Sequence, residues 1–418
     1  MTTDHNLDSN DHLSPTLSKG VRLLAYARAI RWVGWGFGEA LIPIFILSFS
    51  HTFAQMGLFS STVELAALIS LPVIGMMADR MPAKQLVLAS LVLYPLVGLN
   101  YFLAGSLVSA VFIVLARAIN GVTWELENVG IETYYRRTAH HKKIATSFGY
   151  LDTWSNAAWI FAALVGMCLV SFIPIHYLFL GISPFALIAY LVVKRAPNDK
   201  AGVCPYSIKQ PLFSSYGKVI SEWRTWNAQL RLLSALVLFS SIISALTDFF
   251  IPIEAYLNGA NLPMVVLLAV FGAIPSLFGY NLGRLADVRS KTRLISYGLL
   301  IVAITMCGVV IFPQYWFKLG AIFVMGIVTE LFNVVKGSLV TTLGPSETYG
   351  LRGSAFESIV TFGDLAAPLL LGIAMDVLGF SHSLATIACI SIAFGFIYYL
   401  KQKAEASKQA SYLFHPSP

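Results

Sequence analysis

The sequence predicts an all-α polytopic membrane protein with twelve transmembrane helices in two six-helix, pseudo-symmetric lobes. Three observations predict it. The 418 residues are 57% hydrophobic and only 12% charged, where a soluble domain is about a quarter charged. The apolar residues gather in runs of about 20, the length an α-helix needs to cross a bilayer. Three short motifs of the first half recur, in order, in the second.

Residues 1–20 form a polar stretch with Asp4, Asp8 and Asp11 and without the apolar core of a cleavable signal peptide. They are expected to be a cytoplasmic tail. Spans follow at 23–48, 53–77, 85–105, 107–135, 144–172 and 176–194, making an N-terminal lobe over 21–194. The first is entered past Lys19 and Arg22, and the second ends at Asp79-Arg80. Lys84 opens the third, Arg136 and Arg137 close the fourth, Lys142 and Lys143 precede the fifth, and Lys194-Arg195 stops the sixth. Residues 195–230 are expected to be a cytoplasmic linker. In it Val219, Trp223, Trp226 and Leu230 share one helical face, with Lys218, Glu222 and Arg224 off it, the pattern of an amphipathic helix lying on the membrane. Six more spans, at 231–257, 263–283, 292–312, 316–342, 351–376 and 382–400, make a C-terminal lobe over 231–400, followed by a cytoplasmic tail over 401–418.

Charge sets the orientation. Alternate connections hold the basic residues just named, together with Arg284, Arg289, Lys291 and Arg293, whereas the other connections hold only Lys318. An excess of Lys and Arg marks cytoplasmic loops, so both termini and the linker are expected inside a plasma membrane, the bacterial inner membrane above all. The formal net charge of +7 is thereby accounted for by topology, and no nucleic-acid partner is expected. Cys168, Cys204, Cys307 and Cys389 show no paired spacing, so neither a disulfide framework nor a metal site is expected.

The repeat is visible in three places. Gly75-Met-Met-Ala-Asp79 is matched by Gly283-Arg-Leu-Ala-Asp287, and the two aspartates lie 208 residues apart. Glu39-x-x-Ile42-Pro43-Ile44 is matched by Asp248-x-x-Ile251-Pro252-Ile253 at a spacing of 209. Gly121-x-x-x-Glu125-Leu126-x-Asn128-Val129 is matched by Gly326-x-x-x-Glu330-Leu331-x-Asn333-Val334 at a spacing of 205. Such a parallel repeat around a central loop is the plan of a two-lobed secondary transporter.

On these residues the chain resembles the major facilitator superfamily over its whole length. The stretch Gly75 to Lys84 is similar to the family's loop motif between its second and third helices, with a second copy from Gly283 to Lys291. Leu115-Ala-Arg117-Ala-Ile-Asn120-Gly121 looks like the family's Arg-x-x-Gln-Gly motif, with Asn for Gln. The glycine-proline motif of drug/proton antiporters is missing: Ala162-Ala-Leu-Val-Gly166 stands in the fifth helix. The resemblance implies a cytoplasmic gate in which Gly75, Asp79 and Arg80 meet the eleventh helix near Arg352 and Gly353. Gly283 and Asp287 would meet the fifth near Thr146.

Ionisable groups at bilayer depth cost roughly 2.5–3.5 kcal/mol each on insertion scales, so they are functional candidates. Glu39, Glu64, Glu125, Glu127, Asp152, Asp248, Glu330, Glu357 and Asp364 outnumber Arg28, Arg31, Arg117 and Lys336. Depth along the helices suggests Arg28 and Arg31 with Asp152, and Lys336 with Glu357, as structural pairs, and Glu39 with Arg117 as a deeper one. Asp248, Glu330 and Asp364 lack an obvious basic partner, which makes the C-terminal lobe the expected site of proton or cation binding. Glu39, Arg117, Glu125, Asp248, Glu330 and Asp364 are the expected coupling or cavity residues. The resemblance places the first, fourth, seventh and tenth helices around that cavity.

These features predict a secondary active transporter of a small solute, working by alternating access and coupled to protons. Excess acid favours export of a cationic or amphipathic compound. A proton-coupled nutrient importer and a non-transporting sensor are the alternatives. No enzyme motif is present, and the histidines fall in tails, loops or helix ends. No cofactor is expected, and the partners are solute, protons and lipid around a functional monomer.

Overall fold

A computed structural model describes residues 17–138, 144–199, 224, 228–342 and 349–414. These residues are helical throughout, with no strand among them. The first group of helices is α1 (Lys19–Glu39, continued by Ile42–Leu47), α2 (Phe53–Arg80), α3 (Ala83–Leu107), α4 (Ala110–Thr138), α5 (Ile144–Leu169) and α6 (Ile175–Lys194). The second comprises α7 (Ala228–Ala245, a wide turn over Leu246–Phe250, then Ile251–Leu257) and α8 (Leu262–Ala273, a tight turn over Ile274–Phe278, then Gly279–Val288). It continues with α9 (Lys291–Ile311), α10 (Tyr315–Thr342), α11 (Tyr349–Leu378) and α12 (Phe380–Phe414). Eight of these rods (α2, α3, α6, α7 and α9 to α12) are long and apolar enough to cross a membrane, and Leu262–Phe278 of α8 is a shorter apolar helix. Charged residues break the apolar runs of α1 and α4, as a functional interior requires.

The repeat seen in the sequence is repeated in space. Within the first group α1 packs on α5, α2 on α4, and α3 on both α4 and α6. Within the second, α7 packs on α11, α8 on α10, and α9 on both α10 and α12. Adding six to each helix number converts one set into the other. Two seams join the groups, α2 against α11 and α5 against α8, and they exchange under the same operation. Exposed side chains such as Leu187, Ile188 and Leu191 on α6 and Ile301 and Ile304 on α9 form an apolar outer surface suited to lipid.

The structure adds detail at two boundaries. The connection after α6 does not leave at residue 195. Asp199 is buried and accepts hydrogen bonds from the backbone N–H groups of Ala83 (2.8 Å) and Lys84 (3.1 Å), capping α3, while Arg137 reaches the same carboxylate at 3.1 Å. Lys84, expected only as a topology charge, donates to the carbonyls of Lys194 and Ala196 and so ties the end of α6 to α3. The C-terminal tail expected from 401 continues α12 as helix to Phe414. The expected amphipathic helix of the linker lies outside the described residues except at Arg224 and from 228 onward.

Lys318, the lone basic residue among the connections remote from the termini, has a partner. It forms a buried ion pair with Glu254 at the end of α7, and Asn258 donates to the same carboxylate. Lys318→Met leaves that carboxylate without its cation, and breaking a buried pair on one side costs about 3–5 kcal/mol. Unfolding of the detergent-solubilised variant should show the loss, and Glu254→Gln added to it should recover most of it. A single variant as stable as the wild type would mean that the pair is solvated.

Candidate functional site

The duplicated acid-x-x-Ile-Pro-Ile motif interrupts a helix in both groups. α1 breaks directly after Glu39, and Asp248 sits in the wide turn of α7. The physical cause lies four residues downstream. Pro43 and Pro252 have no N–H, so the backbone carbonyls of Glu39 and Asp248 lose their helical partners. The two carboxylates are therefore presented at matching irregularities. The Trp159 indole N–H donates to Glu39, and the Thr247 hydroxyl donates to Asp248 at 3.0 Å.

These acids belong to a chain of carboxylates near enough to feel one another's charge. Asp248 interacts with Glu39 and Asp364, Asp364 with Glu64, Glu64 with Glu125, and Glu125 with Glu357. The chain crosses from one helix group to the other through α2 and α11. The sequence favoured the second group for proton or cation binding and did not place Glu64 among the expected coupling residues. Glu64 is in fact the link, and its position inside a span was the available signal. Glu330 Oε1 lies 2.7 Å from where a Cβ on Gly279 would be, against α8. Glu330, Glu357 and Asp364 each have further contacts of their own.

The basic residues differ most from expectation. Arg31 does not pair with Asp152. Its Nε lies 2.7 Å from Glu127 Oε2 on α4, both side chains are almost wholly buried, and Tyr94 donates to that oxygen at 2.9 Å. The guanidinium also stacks over the rings of Tyr94, Trp32 and Trp124 at 4.6, 5.0 and 5.8 Å. Arg31 lies on the side of α1 that meets α4, whereas Asp152 is an exposed residue of α5. Arg28 feels the Asp152 charge without forming an ion pair. Arg117 does not pair with Glu39 either; it donates to the backbone carbonyl of Ser60 at 2.7 Å. Depth along a helix does not fix rotation about its axis, and rotation chose these partners. The side chain of Lys336, expected to pair with Glu357, lies outside the described residues.

A profile of the Major Facilitator Superfamily matches residues 24–313 and 260–414. The chain belongs to the major facilitator superfamily. Among its curated relatives is the quinolone resistance protein NorA of Staphylococcus aureus (strain MSSA476), 19% identical over 364 residues, which span 86% of this chain and 91% of NorA. The nucleoside transporter NupG shares the fold at a TM-score of 0.69 and 16% identity, covering 92% of this chain and 99% of NupG. A POT family transporter crystallised with 5-aminolevulinic acid matches at a TM-score of 0.73 and 11% identity, covering 91% and 95%. Family and relatives are transporters, and this chain is a multi-pass membrane transporter.

In this superfamily member, contacts seal the face remote from the termini. The Asp376 carboxylate on α11 accepts the Phe53 and Ala54 N–H groups at 2.9 and 2.8 Å, capping α2 across the seam. Ser61 donates to the Leu365 carbonyl at 2.6 Å. Gly57 and Gly372 let the two backbones touch: a Cβ on either would lie 2.3 Å from a carbonyl oxygen of the other helix. At the termini's face, Gly75 was expected to meet the eleventh helix near Arg352 and Gly353, and no described atom lies within 4 Å of where its Cβ would be. Arg80 is exposed there, and the side chains of Asp79, Gly283, Asp287 and their expected partners lie outside the described residues.

Asp376→Asn should weaken this seal. Loss of a helix cap costs about 0.5–2 kcal/mol, which changes a conformer ratio by up to about 30-fold. Spin labels at exposed Leu58 and Val377, on a cysteine-free background, should show a longer-distance population in the variant. An unchanged distance distribution would rule out Asp376 as a latch.

Proposed function

We propose that the protein is a secondary active transporter that exports a small cationic or amphipathic solute by alternating access, driven by protons. It acts as a monomer in the bacterial inner membrane with both termini in the cytoplasm. One observation carries this reading: carboxylates on equivalent helix breaks, Glu39 and Asp248, belong to one electrostatic chain across the seam between the two helix groups. A proton or cationic solute bound there would change the repulsion between the groups and so bias which face is open. Glu39, Arg117, Glu125, Asp248, Glu330 and Asp364 are the proposed coupling and cavity residues. The loop motif of Gly75, Asp79, Arg80, Gly283 and Asp287 is the proposed gate on the cytoplasmic face.

Reconstitution tests this. Liposomes with an imposed pH gradient should accumulate ethidium in the direction opposite to proton flow, with proton movement followed by entrapped pyranine. Downhill cotransport with protons would instead identify an importer, and binding without flux would identify a sensor. Impermeant maleimide should label cysteines introduced at Ser106 or Gly259 in intact cells, and should leave a cysteine in 198–215 unlabelled. Labelling of the latter would reverse the orientation.

A further inference from the structure

We propose that the protein binds an anionic phospholipid at a basic, aromatic surface patch shared by α1 and α5, in the leaflet on the side of the termini. The patch consists of Lys19, Arg22 and Tyr26 of α1 with Tyr150 and Trp154 of α5. The three α1 residues are spaced three and four apart, so they form one stripe along the helix, and all three are exposed. The rings of Tyr26, Tyr150 and Trp154 meet pairwise edge to face, with centroids 5.7 to 6.2 Å apart. Tyr150 donates a hydrogen bond to the Tyr26 hydroxyl at 2.8 Å, and Arg22 is near enough for its charge to act on the Tyr150 hydroxyl.

The patch faces away from the candidate functional site. Tyr26 and Arg28 stand two positions apart on α1, as do Tyr150 and Asp152 on α5, and two positions turn a helix by about 200°. Arg28 and Asp152 feel each other's charge, and the Arg28 guanidinium lies 5.6 Å from the Trp124 centroid, so that flank looks toward α4. The opposite flank carries the three rings and continues along α5 as Phe161, which is 62% exposed. Exposed rings on the outer flank of a membrane helix meet lipid. Depth along the helices matches a headgroup zone. α1 starts at Lys19, with Tyr26 about 10 Å further along, and α5 starts at Ile144, with Tyr150 about 9 Å further along. Charges at a helix end with Tyr and Trp just below them mark the membrane–water interface.

Charge and hydrogen bonding both ask for an anion there. Among the described residues Lys19 and Arg22 form no ion pair, and α1 has no acid before Glu39. The one acid of α5, Asp152, lies on the other flank. Because Tyr150 donates to it, the Tyr26 hydroxyl keeps its own hydrogen for an acceptor, which a lipid phosphate or ester oxygen supplies. A phospholipid of net negative charge places its phosphate against Lys19 and Arg22 and its chains beside the rings. A zwitterionic lipid brings its own cation to the same place and forfeits the gain. The duplication does not impose this patch: at the spacing of 209 that relates α1 to α7, Ala235 stands for Tyr26.

Brominated lipids test the proposal, because bromine quenches an indole that it touches. The full chain is reconstituted in dioleoylphosphatidylcholine vesicles that contain rising fractions of brominated phosphatidylglycerol or brominated phosphatidylcholine. The Trp154 signal is the difference between wild type and Trp154→Phe. It should be half quenched at a mole fraction of phosphatidylglycerol at least about fivefold below that of phosphatidylcholine, the gain from roughly one basic residue at a charged headgroup. Replacing Lys19→Gln and Arg22→Gln together should remove the preference. Arg289→Gln, which removes an exposed cation of the second helix group, should keep it. Equal quenching by the two lipids in wild type overturns the proposal, as does a preference that survives the double replacement. Loss of the preference in Arg289→Gln would reveal general surface attraction and overturn it as well. Inorganic phosphate at constant ionic strength should leave the preference unchanged; its loss would assign the patch to a free anion and reject the lipid. If the double variant fails to fold, the wild-type comparison decides. No arm measures flux, so failure of the transport reading leaves this result standing.

Discussion

Glu127→Gln is expected to destabilise the protein by about 3–5 kcal/mol, because it leaves the Arg31 guanidinium buried without its counter-charge. The magnitude follows from the setting. Arg31 is 1% exposed; its single acidic contact among the described residues is Glu127, at 2.7 Å; and the surrounding rings of Trp32, Tyr94 and Trp124 offer only weak cation–π compensation. Tyr94 loses a charged acceptor for its hydroxyl at the same time. Folded yield and resistance to unfolding in detergent should both fall. Replacing Arg31 and Glu127 together by methionine should restore most of the stability, since removing a whole buried pair is often neutral. A Glu127→Gln variant within about 1 kcal/mol of wild type, the size of an ordinary surface change, would mean that water reaches the pair. The pair fixes α1 against α4, so its loss should also lower transport, and the double replacement separates a packing role from a direct one.

Asp248→Asn is expected to abolish proton-driven accumulation while sparing exchange. The amide copies the shape of the protonated acid, keeps an acceptor for Thr247, and cannot release a proton. The variant should therefore cycle as the permanently protonated form: solute counterflow persists, and pyranine reports no coupled proton movement. Glu39→Gln is the matched test at the equivalent break of α1. There the amide still accepts from Trp159, so packing is kept. A variant that loses accumulation and counterflow together has lost folding or solute binding rather than coupling. If Asp248→Asn, Glu39→Gln, Asp364→Asn and Glu330→Gln all remain fully coupled, the proposed coupling site is wrong and Glu64 and Glu125 become the next acids to replace.

The sequence by itself determined what depends on one dimension. Long apolar runs located the spans, alternating basic loops gave an expected orientation, and three spaced motifs revealed the duplication that the helix packing repeats. The helix breaks were legible there too, because Pro43 and Pro252 act on their own helices and need no neighbour, although the apolar runs over 23–48 and 231–257 predict continuous spans. Only the tertiary structure decided which side chains meet. Arg31 and Asp152 were expected at similar depths, yet Arg31 turns to Glu127. Arg117 and Glu39 were expected at a shared depth, yet one bonds a Ser60 carbonyl and the other an indole. Asp376 and Asp199 gave no sequence signal at all, because they cap helices that begin 323 and 116 residues away. The physical reason is common to these cases. Hydropathy and rise per residue report position along the membrane normal, whereas partner choice depends on rotation about each helix axis and on which helices pack side by side. Those are properties of the assembled bundle.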